Sequence, residues 1–244
     1  MPSLILRFDA PLMSFGGVLV DHHNPTERFP SQSQMTGLLA NAMGWEHGDV
    51  AALEALQSRV MFAARWDVPP EPLVDYHTVD LGQSHLVRPG WTTHGVPEHR
   101  AGGDAARKGT HQRYRHYWAN GVLTLALTVS PDAEPELDTV GAALCRPVRP
   151  LFLGRKTCIP SAPVFRGRRD TDDVLGALSS YPADPRAPGG QDGMEACWPA
   201  DLERSNETEM WTWDRADQRD WRNQMHTGRR FVTEGRLREI PPCT

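Results

Sequence analysis

Apolar and polar residues alternate over residues 3–8 (Ser-Leu-Ile-Leu-Arg-Phe), a period of two that predicts a strand, and Asp9-Ala10-Pro11 ends it. Beyond the turn formers Gly16-Gly17 and Asn24-Pro25 the period changes. Met35, Leu38, Leu39, Ala42 and Met43 recur at helical spacing behind the hydroxyl caps Ser31 and Ser33, and Gly44 stops the run. Asp49 opens a second, shorter helix carrying Leu53, Leu56 and Val60, and residues 60–66 return to a strand. From 68 to 111 the chain is broken by Pro69-Pro70, Pro72, Pro89-Gly90, Pro97 and Gly102-Gly103, which predicts loop apart from a short strand near 74–79. Residues 113–118 and 122–130, split by Asn120-Gly121, carry the signature of a β-hairpin with a type I′ turn. Pro131-Asp132 opens a helix through Val140, Ala143 and Leu144, and residues 151–153 supply a short closing strand.

Strand, helix, strand, strand, helix, strand is the α+β, ferredoxin-like (RRM-like) plan, with an antiparallel sheet that carries helices on one face and leaves the other open. RNA-recognition modules use that open face. The plan fills residues 1–165, with a long arm or loop insertion at about 80–118. Residues 166–244 predict a small β-rich appendage, with strands at 209–213 and 229–237 among Pro182, Pro185 and Pro188-Gly189-Gly190. Trp198, Trp211, Trp213 and Trp221 serve either the core of that appendage or stacking on bases.

Composition narrows the function classes. A chain of 244 residues with 39% hydrophobic content can bury a full core. No run approaches the roughly 20 apolar residues of a membrane span, and residues 1–6 lead directly into a strand, so the expected location is the cytoplasm, without a membrane partner. Cys145, Cys158, Cys197 and Cys243 are scattered singly, which gives neither a disulfide framework nor a zinc knuckle. His22 and His23 are neighbours that an extended chain points to opposite faces, so no metal or cofactor is expected.

The formal net charge of -5 hides a strong asymmetry. From Thr139 to Arg169 there is no acidic residue, while Arg146, Arg149, Arg155, Lys156, Arg166, Arg168 and Arg169 are basic; carboxylates dominate from Asp170 to Asp220. One surface that meets phosphate accounts for this, as does simple mixing of charges on the folded surface. Three groups could hold RNA. Gly154-Arg155-Lys156 offers a bare backbone and two cations as a phosphate clamp. Arg28, Ser31 and Ser33 sit at a predicted helix N-terminus, which favours an anion, although ordinary capping also explains the serines. Lys108, His111, Arg113, Tyr114, Arg115 and Tyr117 interleave rings with cations, Arg113, Arg115 and Tyr117 on one face of a strand and Tyr114 on the other.

Three patterns carry a family resemblance. The first runs from Leu4-Ile5-Leu6-Arg7 through Ala10-Pro11-Leu12, Phe15-Gly16 and Arg28-Phe29-Pro30 to Gly37-Leu38-Leu39-Ala40 and Gly44; the second is Asp75-Tyr76-His77-Thr78-Val79; the third is Leu153-Gly154-Arg155-Lys156-Thr157-Cys158 with Pro160 and Pro163-Val164-Phe165. In order and spacing they resemble the CasD family of type I-E CRISPR surveillance complexes. Two positions depart from it: Met13-Ser14-Phe15-Gly16 stands where relatives often carry Gln-Ser-Trp-Gly, and Gln32 where a basic residue is common. The resemblance implies a non-catalytic subunit of the Cascade complex that grips the 5′ handle of the crRNA. Its implied partners are the CasC backbone subunit, the large subunit CasA, other Cascade subunits and, through the complex, target DNA. Some relatives in other subtypes instead cut precursor RNA without metal, using Tyr, Lys and His, and Tyr76, His77, Lys108 and His111 would be the residues for such an endoribonuclease. A protein scaffold that never touches RNA is a third class; it accounts for the acidic C-terminal third and leaves the basic stretch without a role.

Overall fold

The computed structural model describes residues 1–17, 19–80, 90–91, 97–98, 110–188, 193–202, 210–238 and 240–241. The fold is mixed α+β and dominated by sheet. In chain order its strands are β1 (Pro2–Asp9), β2 (Leu12–Met13), β3 (His23–Asn24), β4 (Val60–Val68), β5 (Glu71–Asp80), β6 (Gly90–Trp91), β7 (Pro97–Glu98), β8 (Thr110–Ala119), β9 (Val122–Val129), β10 (Phe165–Asp170), β11 (Met194–Pro199), β12 (Trp211–Arg215), β13 (Gln218–Asp220), β14 (Met225–Thr227) and β15 (Arg230–Leu237). The helices are α1 (Gln32–Met43), α2 (Val50–Arg59), α3 (Leu137–Cys145) and α4 (Val174–Ser180).

Seven strands form the main antiparallel sheet in the order β10-β1-β9-β4-β11-β15-β12. Alternation along β1 sends Leu4, Leu6 and Phe8 to a face covered by α1, α2 and α3, where they pack with Met35, Leu39, Leu56, Phe62, Trp66, Val140 and Leu144. Ser31 caps α1 and Gly44, at φ 81°, ends it, as the pattern of hydroxyl and glycine predicts.

Three expectations are corrected. Residues 113–118 and 122–130 do not pair with each other. β8 pairs with β5, β2 and β3, whereas β9 lies between β1 and β4. The cause is burial: every residue of β9 is buried, so it needs apolar neighbours on both faces, while β8 is half exposed. Asn120, at φ 58°, turns the chain from one sheet into the other, and Gly121 sits so close to Pro70 and Trp66 that a Cβ would approach them to 2.6 and 2.8 Å. The closing strand is not 151–153, whose Leu153 is buried in a loop, but β10, which pairs with β1.

The third correction concerns the open face. Ile5, Ala63 and Ala126 pack there against Val174, Leu175, Ala177 and Leu178 of α4, so the face is closed. A seven-residue helix is marginal alone. Each fully buried aliphatic side chain contributes about 1.5–3 kcal/mol, and a buried polar row fixes where the helix sits. Arg7, Thr124 and Arg65 are neighbours across β1, β9 and β4. Arg65, 0% exposed, donates to Asp67 Oδ1 at 2.7 Å and to the carbonyls of Leu178 and Tyr181 at the C-terminal end of α4. Asp67 Oδ2 also accepts from Arg7, Thr124 and the Asp184 amide. The described residues beyond 165 thus continue the main sheet and seal its second face. Of their tryptophans, Trp198 and Trp221 are buried, whereas Trp211 and Trp213 are 60% and 51% exposed. Among the described residues no helix is long and apolar enough to cross a membrane.

Asp67→Ala leaves Arg65 buried without its carboxylate and is expected to cost about 3–5 kcal/mol, read from the urea midpoint. Burial pushes the Asp184 carboxyl up, but hydrogen bonds from Arg186 and the charges of Arg186 and Arg7 outweigh it and hold it below the usual range. A carboxyl lowered on folding stabilises above its unfolded pKa and loses that contribution as pH falls through its folded value. Asp184→Asn is therefore expected to flatten the acid limb of stability against pH, below about pH 4, in a denaturation series.

Candidate nucleic-acid interface

β8 is the frame on which the predicted rings and cations stand. β5 runs along one edge from Asp80 opposite Thr110 to Glu71 opposite Ala119, and β3 and β2 share the other edge. Successive side chains point to opposite faces. One face carries Asp75, His77, His111, Arg113 and Arg115. There His77 Nε2 contacts Asp75 Oδ2, Arg113 Nε donates to His111 Nε2 at 2.9 Å, and His22 meets the His111 ring edge-on at 6.0 Å. The other face carries Tyr76, Tyr114 and His116. His23 stacks on Tyr114 with centroids 4.8 Å apart, Tyr76 lies 5.0 Å from Tyr114, and His23 lies 5.8 Å from His116. His22 and His23 do point to opposite faces. Tyr117 is buried and Lys108 lies outside the described residues.

Within the Gly154-Arg155-Lys156 group, Gly154 and Arg155 make contacts inside the chain. Gly154, at φ 107°, lies so close to Ser14 that a Cβ would collide with the Ser14 carbonyl, and Ser14 N donates to Leu153 O at 3.0 Å. The bare backbone is thus used by the protein itself. Arg155 donates to the carbonyls of His116 at 2.8 Å and Asn24 at 2.9 Å and lies 4.7 Å over the Tyr117 ring. It clasps β3 and β8 together at the base of the β5/β8 arm. Lys156 is exposed and, like Arg115, has no hydrogen-bond or ion-pair partner among the described residues.

The other basic positions divide in the same way. Arg149 donates to the carbonyls of Gly44 and Trp45 and to Glu46, so it caps the end of α1. Arg168 pairs with Asp138, Arg169 lies over Tyr181, and Arg146 and Arg166 are exposed. Arg28 grips Glu195 with two nitrogens and lies over Trp66 and Trp118 at 5.2 and 4.8 Å, joining its loop to β11. At the α1 N-terminus the anion is internal. Gln32 N donates to Asp217 Oδ2 at 3.1 Å, Ser33 N to Asp217 O at 3.0 Å, and Gln34 N to Ser31 Oγ at 3.1 Å. Sequence reasoning did not anticipate Asp217, which is 185 residues from Gln32. It also missed His116, which stands in the same alternation of rings and cations as Tyr114, and the stacking of His23 from β3.

The family model for CRISPR-associated protein (Cas_Cas5) matches residues 3–233. The chain belongs to this family. It is 32% identical over 186 residues to the CRISPR system Cascade subunit CasD of Escherichia coli (strain K12), covering 73% of this chain and 76% of the relative. A chain of a solved CRISPR RNA-guided surveillance complex superposes with a TM-score of 0.69 at 24% identity, over 98% of this chain and 91% of that one. A second structure, of a Cas protein, gives 0.64 at 22% identity, over 99% and 98%. At those identities the two likenesses establish the fold. The two departures from the family pattern fall inside the protein: Phe15 is in the core, and buried Gln32 donates to the carbonyls of Gln57 and Val60.

A clasp and a free cation respond differently to removal. Arg155→Ala is expected to cost about 2 kcal/mol through its two charge-assisted hydrogen bonds, and Lys156→Ala to stay within about 0.5 kcal/mol, both measured by urea denaturation.

Proposed function

We propose that this chain is the CasD-type subunit of a Cascade complex, and that it holds the 5′ handle of the guide RNA at the base of its arm without cutting it. The observation that carries this reading is the two-sided frame of β8. Stacked rings on one face and Arg113, Arg115 and His111 on the other suit single-stranded RNA, whose bases stack while its phosphates take the cations. The 32% identity to a protein named as a Cascade subunit supports the assignment to that complex. CasC and CasA are the proposed neighbours, CasC against the arm formed by β5 and β8, and target DNA is read by the guide.

The ferredoxin-like plan belongs to the same proposal. The order β10-β1-β9-β4 with α1, α2 and α3 in its crossovers supports it. The sheet face that RNA-recognition modules use is covered by α4, so RNA is held by the arm base and loops. The nuclease alternative is disfavoured by alternation. Tyr76 is on the face of β5 opposite the one that His77 shares with His111, and Asp75 engages His77, so the tyrosine does not join the histidines on one phosphate.

The test is a gel shift of the full chain with labelled CRISPR-repeat RNA in EDTA over a salt series. Bound, uncut RNA is expected, and a Lys156→Ala/Arg115→Ala double variant should reduce the slope of log affinity against log salt by about 0.7 per lost phosphate contact. Product bands that vanish in His77→Ala or His111→Ala would replace this reading with the nuclease.

A further inference from the structure

A groove runs beside α1 and takes in Ser31, Ser33, Gly154 and Arg155 from the predicted groups. Two cavities of about 280 and 480 Å³ adjoin at Gly16, Gly17, Ser31 and His226. One end is bounded by Trp213, whose indole is half exposed. The other is lined by Asn24, Gln34, Arg155 and Arg219. Gly16, at φ 76°, has open space where a Cβ would stand, which leaves the shared stretch bare.

Three polar atoms at the second end lack a partner among the described residues: Asn24 Nδ2, Gln34 Oε1 and Arg219 Nε. Each is occluded, and a buried donor or acceptor without a partner costs about 1–3 kcal/mol. Asn24, Gln34 and Arg219 come from three separate elements and line one cavity, so rotation about their side-chain bonds brings these unpartnered atoms to a ligand with both donors and acceptors on its edge. Three arginines face the four carboxylates around Trp213, which leaves one negative charge in excess. Arg215 pairs with Glu27 and Glu234, Arg230 with Asp217 and Arg229 with Asp214. A phosphate gains little beside them, whereas a flat neutral ring finds an aromatic platform.

We propose that the groove takes two consecutive unstacked bases of single-stranded RNA, one lying on Trp213 and the next presenting its hydrogen-bonding edge to Asn24, Gln34 and Arg219. This rests on the reading that the chain holds guide RNA. The route is continuous with that site, because Asn24 and Arg155 line the groove and are also joined to each other at the arm base. The phosphates stay outside, toward Lys156 and Arg115, and the groove supplies base preference.

The experiment is an abasic scan of the 5′ handle, with one base removed at a time, against the full chain and its Trp213→Ala, Trp213→Phe and Asn24→Ala/Gln34→Ala variants, each first confirmed folded by thermal denaturation. In the wild type, two adjacent abasic positions should each weaken binding about tenfold. Trp213→Ala should erase the first penalty, Trp213→Phe should keep it, and the double variant should erase only the second, all with an unchanged salt slope. Wild-type binding with both penalties intact in every variant overturns the groove and leaves the RNA-holding reading standing. A Trp213→Ala variant that binds every RNA normally but loses a Cascade subunit on co-purification makes the groove a protein-docking surface and also overturns the proposal. Absence of any wild-type binding overturns the RNA-holding reading itself.

Discussion

The ion pair between Arg65 and Asp67 is the constraint on which the second half of the molecule depends. Both side chains are fully buried in one strand, where a lone charge would be prohibitively costly. Burial lowers the affinity of Arg65 for its proton, and Asp67 opposes that shift. The pair is tolerable only because its remaining donors and acceptors are satisfied by Leu178, Tyr181, Arg7, Thr124 and the Asp184 amide. That requirement places the chain from α4 to Asp184 over the sheet and closes a face that would otherwise have been open. Arg186 then bridges Asp184 to Asp9 at the end of β1, which extends the same network to the rim.

Arginine is used repeatedly in this way. Arg59 donates to the carbonyls of Ser130, Ala133, Glu134 and Pro135, Arg149 caps α1, and Arg155 joins β3 to β8. A planar fork of five donors suits irregular backbone whose carbonyls have no ladder partner. The acid-free stretch from Thr139 to Arg169 is therefore divided in its roles. Part of its charge holds loops in place, and Arg146, Lys156 and Arg166 are left exposed.

Strand and helix periods, the capped α1 and the order of the first half were legible because each depends on residues close in sequence. β1, α1, α2 and β4 follow their patterns to within a few residues. The pairing of β8 was not legible. Asn120-Gly121 favours a tight hairpin locally, and only the complete burial of β9 between two distant strands decides against it. The site divides along the same line. Alternation in β8 correctly separates Arg113 and Arg115 from Tyr114, whereas the partners of Arg28, Arg155 and Ser33 lie tens to hundreds of residues away and leave no local trace.

The arm base can be both rigid and adaptable because these functions fall on different residues. Gly154 and Arg155 lock the frame through backbone carbonyls, which are present whatever the side chains around them. The half-buried rings and cations on β8 and β5 stand on that fixed support. A binder gains from that division, since ordering a long side chain on binding costs about 0.5–1.5 kcal/mol, far less than ordering a loop. A metal-independent nuclease needs the opposite arrangement, with acid, base and cation fixed on one phosphate. Tyr76 stands on the face of β5 opposite the one that His77 shares with His111 and Arg113.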